Sequence, residues 1–309
     1  MSVTQPEDRS PVPGSLLPIR TVAHLTGVNP VTLRAWERRY RLITPQRTPK
    51  GHRLYTGHDV ERIRNVLGLL EQGISIGQVK PLLDRPVQQP VSADSGPGES
   101  WRSHQDNMLR AIADFDEPAL ETSYNEILSL YPVDIVIQQL ITPLLRTLGE
   151  RWQDSDTGIA EEHFFSVFLR NKLGARIHHV NPRSRGPLLL LACLPGEQHE
   201  LGLLFFALAS LDYGYRILVL GANTPLEQLP GVLQKRPCAG IVLSCSHRPA
   251  RAILEIDLPA LIEKVDVPVF AGGRITPGQQ TRFEAAGAIC VGALLADSLR
   301  QISRTLKTD

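Results

Sequence analysis

The chain has 309 residues, 42% of them hydrophobic and 6% aromatic, with a formal net charge of +1. That is apolar material for two domains or three small ones, and no apolar run reaches the roughly 20 residues of a membrane span, so a soluble, cytoplasmic protein with no membrane partner is expected. The small net charge conceals an asymmetry: residues 15–85 carry twelve Lys or Arg against five Asp or Glu, whereas 86–309 carry twenty against twenty-five. A basic amino-terminal module on an acidic body points to one part that meets a polyanion.

The opening "MSVTQPEDRSPVPGS" is polar and Pro-rich, unlike a signal or transit peptide, and reads as a disordered tail over residues 1–16. In "IRTVAHLTGVNPVTLRAWERRY" two short helices flank a turn at Gly27, with Asn29 placed to cap the second helix and Pro30 at its first position. Thr32, Arg34, Arg38, Arg39 and Arg41 are expected on its accessible side, making a helix-turn-helix with a basic second helix. "RTPKGHRLYTGHDVERI" then predicts a turn at "PKG" between two short strands, followed by a third helix. On such a wing Arg47, Lys50 and Arg53 would meet phosphates, with His52 and Tyr55 beside them. Residues 17–84 resemble the DNA-binding domain of the MerR family, above all through "VTLRAWERRYRLITPQRTPKGHRLY". The resemblance implies a winged helix-turn-helix that binds double-stranded operator DNA as a dimer, with the second helix in the major groove. MerR proteins usually continue into a long dimerising helix; here "RPVQQPVSADSGPGES" (85–100) has linker composition instead, so self-association is expected in the carboxyl-terminal parts.

Residues 101–181 show helical spacing of apolar positions, punctuated by Pro118, Pro132 and "DSDTG", which predicts a four-helix bundle. Trp152 ends the third helix, and ten residues on Glu162 and His163 fall in the first turn of the fourth. These could be a core aromatic, a carboxylate favoured by the helix dipole and a surface histidine; an aromatic plane, a carboxylate and an imidazole at one bundle end also suit a flat, hydrogen-bonding ligand such as adenosine.

After the break "NPRSRGP", residues 187–309 alternate apolar strands, near 188–193, 215–220, 239–244, 267–271 and 288–292, with helices near 199–212, 226–234, 249–255, 278–286 and 294–306. This predicts a flavodoxin-like parallel α/β domain, whose ligands bind at the carboxyl ends of the strands. Cys193, Cys238, Cys245 and Cys290 lack C-x-x-C spacing and read as reduced thiols, three of them within strands. The loop "PGEQHELG" puts Glu197 and His199 at a strand's carboxyl end. With Gly202 it matches the D/E-x-H-x-x-G pattern of cobalamin-binding domains, which this region resembles; Gly272 and Gly273 match the later glycine pair, and Ser244 keeps the first serine of S-x-L while "SCS" departs at the third position.

Together with the W-x9-E-H spacing of Trp152, Glu162 and His163, the whole chain from residue 17 resembles the cobalamin-dependent photoreceptor regulators of the CarH/LitR type. That resemblance implies a multi-domain α and α/β protein, a repressor that binds adenosylcobalamin between bundle cap and α/β domain and self-associates as a dimer or tetramer. It assigns His199 as lower axial ligand to the cobalt with Glu197 orienting it, Trp152 covering the adenosyl group, Glu162 hydrogen-bonding it and His163 nearby. Two other readings compete. A cobalamin mutase or methyltransferase would need a separate catalytic barrel of about 250 residues, for which there is no room. A MerR-type regulator could instead keep the cobalamin-like part as a scaffold controlled by a regulatory protein partner or another ligand.

Overall fold

The computed structural model describes residues 16–84, 99–152, 156–292 and 295–306. The predicted tail and linker fall almost wholly outside them, although Glu99 and Ser100, assigned to the linker, already belong to a helix. The chain divides into two compact units, residues 1–164 and 165–309, so the division lies inside the last bundle helix and the basic module shares a unit with most of the bundle.

Unit 1 begins with a three-stranded antiparallel sheet in the order β1 (Leu17–Pro18), β3 (Arg53–Tyr55), β2 (Gln46–Arg47). Helix α1 (Ile19–Thr26) stops at Gly27, whose φ of 74° is the left-handed conformation a glycine adopts without strain. Asn29 Oδ1 accepts from the amides of Val31 and Thr32, both at 2.9 Å, and starts α2 (Pro30–Ala35). A π turn, Trp36–Tyr40, prolongs it. Thr56 and Asp59 form a reciprocal cap at α3 (Gly57–Glu71). Where one helix was expected there are two, because Gly73 turns the chain and Ser75 with Gln78 caps α4 (Ile76–Leu83).

The bundle has the four expected helices: α5 (Glu99–Ala113), α6 (Glu117–Leu130), α7 (residues 133–150) and α8 (Gly158–Val180). Pro143 sits two residues after the π turn Ile137–Ile141 of α7, where a wider turn relieves the missing amide and the ring clash. Basic module and bundle are joined by two buried hydrogen bonds and one at the surface. Trp36 Nε1 donates to Leu130 O at 2.8 Å, the Ile76 amide donates to Tyr131 Oη at 3.3 Å, and Gln139 Nε2 donates to Glu71 O at 3.1 Å.

Unit 2 is built on five parallel strands, β4 (Leu188–Cys193), β5 (Arg216–Gly221), β6 (Gly240–Ser244), β7 (Val269–Gly272) and β8 (Ile289–Gly292), in the order β5-β4-β6-β7-β8. This is the flavodoxin-like order, with β4 an interior strand and every residue of it buried, which is why its sequence shows no polar alternation. Helices α9 (Leu201–Asp212), α10 (Leu229–Lys235), α11 (residues 251–262), α12 (Thr276–Ala285) and α13 (Leu295–Thr305) connect and flank the strands. Helix α11 outruns the expected end near 255, because the π turn Ile253–Asp257 lets Pro259 follow without a break. The four cysteines are free; burial pushes the Cys193 thiol up to about 12 and those of Cys245 and Cys290 to about 11, which keeps these three protonated at neutral pH. Among the described residues no helix is long and apolar enough to cross a membrane.

Candidate functional site

At the carboxyl edge of the sheet the loop after β4 is tied down by its own backbone. The Glu197 amide donates to Leu194 O at 3.0 Å, the Gly196 amide to Asn223 Oδ1 at 2.7 Å and the Asn223 amide to Glu197 O at 2.8 Å. These fix the Glu197 side chain, 1% exposed, beneath the loop. Oε1 accepts from the amide and Nδ1 of His199, both at 2.8 Å, and Oε2 accepts from the amide and Oγ of Ser246, both at 2.6 Å. Burial alone would push this carboxyl up; the Ser246 and His199 donors outweigh it and hold it down at about 2, so it is ionised. With Nδ1 bound to the carboxylate, the nitrogen His199 has left for a ligand is Nε2, on a side chain 73% exposed. A carboxylate that fixes one ring nitrogen and raises the basicity of the other is the usual preparation of a metal-ligating histidine.

The glycine pair builds the next loop. A Cβ on Gly273, where φ is 119°, would lie 2.3 Å from Cys245 O, and one on Gly272 would lie 3.1 Å from Val291 Cγ2. Gly202 has nothing within 4 Å of such an atom, so no group of the chain itself requires glycine there. Gly273→Ala is expected to cost about 2 kcal/mol or more through strain and clash together, seen as a lowered thermal midpoint. Ser244 ends β6 and its carbonyl accepts from the Leu194 amide at 3.1 Å. Two residues with a role here were missed in the sequence, Ser246 and His247. The departure from S-x-L at position 246 supplies the two donors on Glu197 Oε2, and His247 Nδ1 lies 3.0 Å from that same oxygen. The donor set and the close-packed glycines fit a corrinoid whose cobalt takes an imidazole.

At the bundle end Trp152 is 47% exposed at the close of α7, a high value for an indole with only a core role. Glu162 and the exposed His163 lie 3.8 Å apart, in the second turn of α8 rather than the expected first, because the helix already begins at Gly158. The acidic residue of the first turn is the buried Glu161, which accepts from Thr157 Oγ1 at 2.7 Å and faces Arg151 at 3.7 Å. Glu162 is thereby left on the partly accessible side.

On the basic module Arg34, Arg38 and Arg39 are exposed along α2 and its extension, and Arg47, Lys50 and His52 along the wing. Arg47 and Arg53 both bind Glu37, at 2.7 and 2.5 Å, and these two partners overcome the effect of burial to lower its carboxyl. Two expected DNA contacts are corrected. Thr32 and Tyr55 are fully buried. The helical period explains the first: with Arg34 and Arg38 outward, the residue one turn earlier on that face is Val31, 59% exposed, and Thr32 turns inward with Ala35 and Trp36. Tyr55 closes β3 opposite Leu17, and burial pushes its hydroxyl up to about 12.

Residues 17–85 match the MerR HTH family regulatory protein family, and residues 104–177 match the B12 binding domain. The chain is similar to the HTH-type transcriptional repressor CarH of Myxococcus xanthus, 35% identical over 229 residues, covering 71% of this chain and 75% of the relative. It is also similar to the HTH-type transcriptional repressor CarA of the same organism, 30% identical over 265 residues and covering 83% and 86%. In fold it resembles the monomethylamine corrinoid protein of Methanosarcina barkeri, with a TM-score of 0.52 at 15% identity over 67% of this chain and 99% of that one.

Proposed function

Because this chain belongs to the MerR family of transcription regulators that carry a cobalamin-binding domain, we propose that it is an operator-binding repressor whose assembly is set by adenosylcobalamin and reversed by light. The observation that carries this reading is His199, held by a buried, ionised Glu197 so that Nε2 is its free nitrogen at the carboxyl edge of a parallel sheet. When bound, adenosylcobalamin would supply a cobalt to carbon bond that light can break. His199 would hold the cobalt, Ser244 and the Gly272–Gly273 loop the nucleotide tail, and Trp152 and Glu162 the adenosyl group, with His163 beside them. Loss of the contacts to adenosine is a difference in affinity between two states, which is what a ligand needs in order to shift a conformational equilibrium.

Trp36 supports the coupling. It prolongs the helix that carries Arg34 and hydrogen-bonds to the end of α6, so a rearranged bundle acts directly on the DNA-reading helix. The departure at Ser246 weighs against the scaffold reading, since it strengthens the hold on Glu197. The relatives are regulators, and the enzyme reading falls with them. Self-association as a dimer or tetramer belongs to the same proposal.

The test is the absorption spectrum of protein loaded with adenosylcobalamin in the dark, desalted, and read before and after green light. Retained corrin with a light-driven change in wild type, and loss or altered cobalt ligation in His199→Ala, is expected; a colourless wild-type protein overturns the reading. On the DNA side, Arg39→Ala is expected to weaken operator binding and to lower the slope of log affinity against log salt by about 1, measured by fluorescence anisotropy at several salt concentrations.

A further inference from the structure

Glu197 serves more than one imidazole. His247, on the loop after β6, brings Nδ1 to 3.0 Å from Oε2, and the rings of His199 and His247 have centroids 6.0 Å apart. Oε2 already accepts from the amide and hydroxyl of Ser246, which occupy its two lone pairs. His247 is therefore a surplus nitrogen beside a carboxylate whose hydrogen-bonding capacity is taken. One ligand atom from each of Glu197, His199 and His247 can be chosen so that all three lie within 4.8 Å of one another.

The geometry points to a second ligand chemistry here: Glu197, His199 and His247 form a two-histidine, one-carboxylate site for a divalent transition-metal ion of the zinc, nickel or cobalt class, occupied when no corrinoid holds His199. The exclusion by corrinoid rests on the cobalamin reading; the ion site itself does not. Ligand atoms about 2.0–2.2 Å from a tetrahedral ion stand roughly 3.3 Å apart, so an ion that replaces the hydrogen bond between His199 Nδ1 and Oε1 opens that 2.8 Å separation by only a few tenths of an ångström, and His247 Nδ1, 3.0 Å from Oε2, turns toward it. The side chains that must move are free to do so, His199 at 73% and His247 at 49% exposed, while the anchored carboxylate stays put. Two imidazoles and one carboxylate suit these ions better than magnesium or calcium, which take oxygen ligands. No thiolate completes the set: Cys245 donates its proton to His247 O at 2.7 Å, and burial keeps it and Cys193 neutral. Glu200 is engaged by Arg170 at 2.6 Å. Water fills the remaining positions on the exposed side.

The experiment is equilibrium dialysis of the full-length apoprotein, stripped with chelator, against Zn2+, with Co2+ absorption as a second readout. Wild type is expected to retain one ion. His247→Ala is expected to weaken retention about tenfold or more while still taking up cobalamin, and His178→Ala with His179→Ala, remote from the site in sequence, is expected to leave retention unchanged. Wild type that retains no ion, or His247→Ala that retains it as tightly, overturns the site. An ion retained alongside a full corrinoid load overturns the exclusion. Ion binding without any corrinoid uptake would sustain this site and overturn the cobalamin reading instead, so the two failures are distinguishable.

Discussion

Glu197→Gln is expected to lower the unfolding free energy at neutral pH by about 2–4 kcal/mol, far more than a surface substitution, and to abolish tight retention of corrinoid. The carboxylate presents an acceptor to each of two donor pairs, the amide and Nδ1 of His199 on one side and the amide and hydroxyl of Ser246 on the other. A glutamine has one carbonyl, so its NH2 must face one of those pairs donor to donor. The wild-type carboxyl titrates near 2 when folded against 4.5 when free. A folded pKa below the unfolded one gives stability that is complete above the unfolded value and is lost as pH falls toward the folded one. The shift corresponds to at most roughly 3 kcal/mol, lost between about pH 5 and 2. Urea denaturation across that window should show wild type losing stability that Glu197→Gln lacks throughout. If the two profiles run parallel, the carboxylate is not held as described.

Much of the α/β unit was readable because burial writes itself into a parallel sheet. The runs from Leu188 and Gly240 contain no polar position to place them at an edge, and the strand limits agree with the sequence reading to within two residues. The E-x-H spacing located His199 because a carboxylate two residues before a histidine can reach its Nδ1 within one turn, as it does here at 2.8 Å. The roles of Ser246 and His247 escaped notice because they are created by a loop 47 or more residues away, and no local spacing reports that register. Thr32 was misplaced for a different reason: the period was available from Arg34 and Arg38, but a polar residue was assumed to face outward. The π turns that carry α7 and α11 past Pro143 and Pro259 were also hidden, since proline reads locally as a break.

The union of the basic module with the bundle was equally invisible in sequence, and it sets the largest expected effect in unit 1. Trp36→Ala is expected to cost about 3–5 kcal/mol. The indole is fully buried and fills volume in the core of the DNA-binding module. Its Nε1 also satisfies Leu130 O, one of the carbonyls at the end of α6 that have no partner within the helix. Trp36→Phe keeps most of the volume but removes the donor, and is expected to cost about 1–2 kcal/mol. The pair of variants separates packing from the hydrogen bond. Among the described residues two hydrogen bonds across the join remain after the loss of Trp36, the Ile76 amide to Tyr131 Oη and Gln139 Nε2 to Glu71 O, at 3.3 and 3.1 Å. Tyr131, although fully buried, packs its ring against Trp101 of the bundle and reaches the module with its hydroxyl. The module and the bundle of Trp36→Ala are therefore expected to unfold in separate steps, with far-ultraviolet dichroism and the fluorescence of Trp101 and Trp152 no longer coinciding. Coincident transitions at a lowered midpoint would mean that the remaining contacts across the join hold module and bundle together, and that Trp36 contributes stability without being the coupling element.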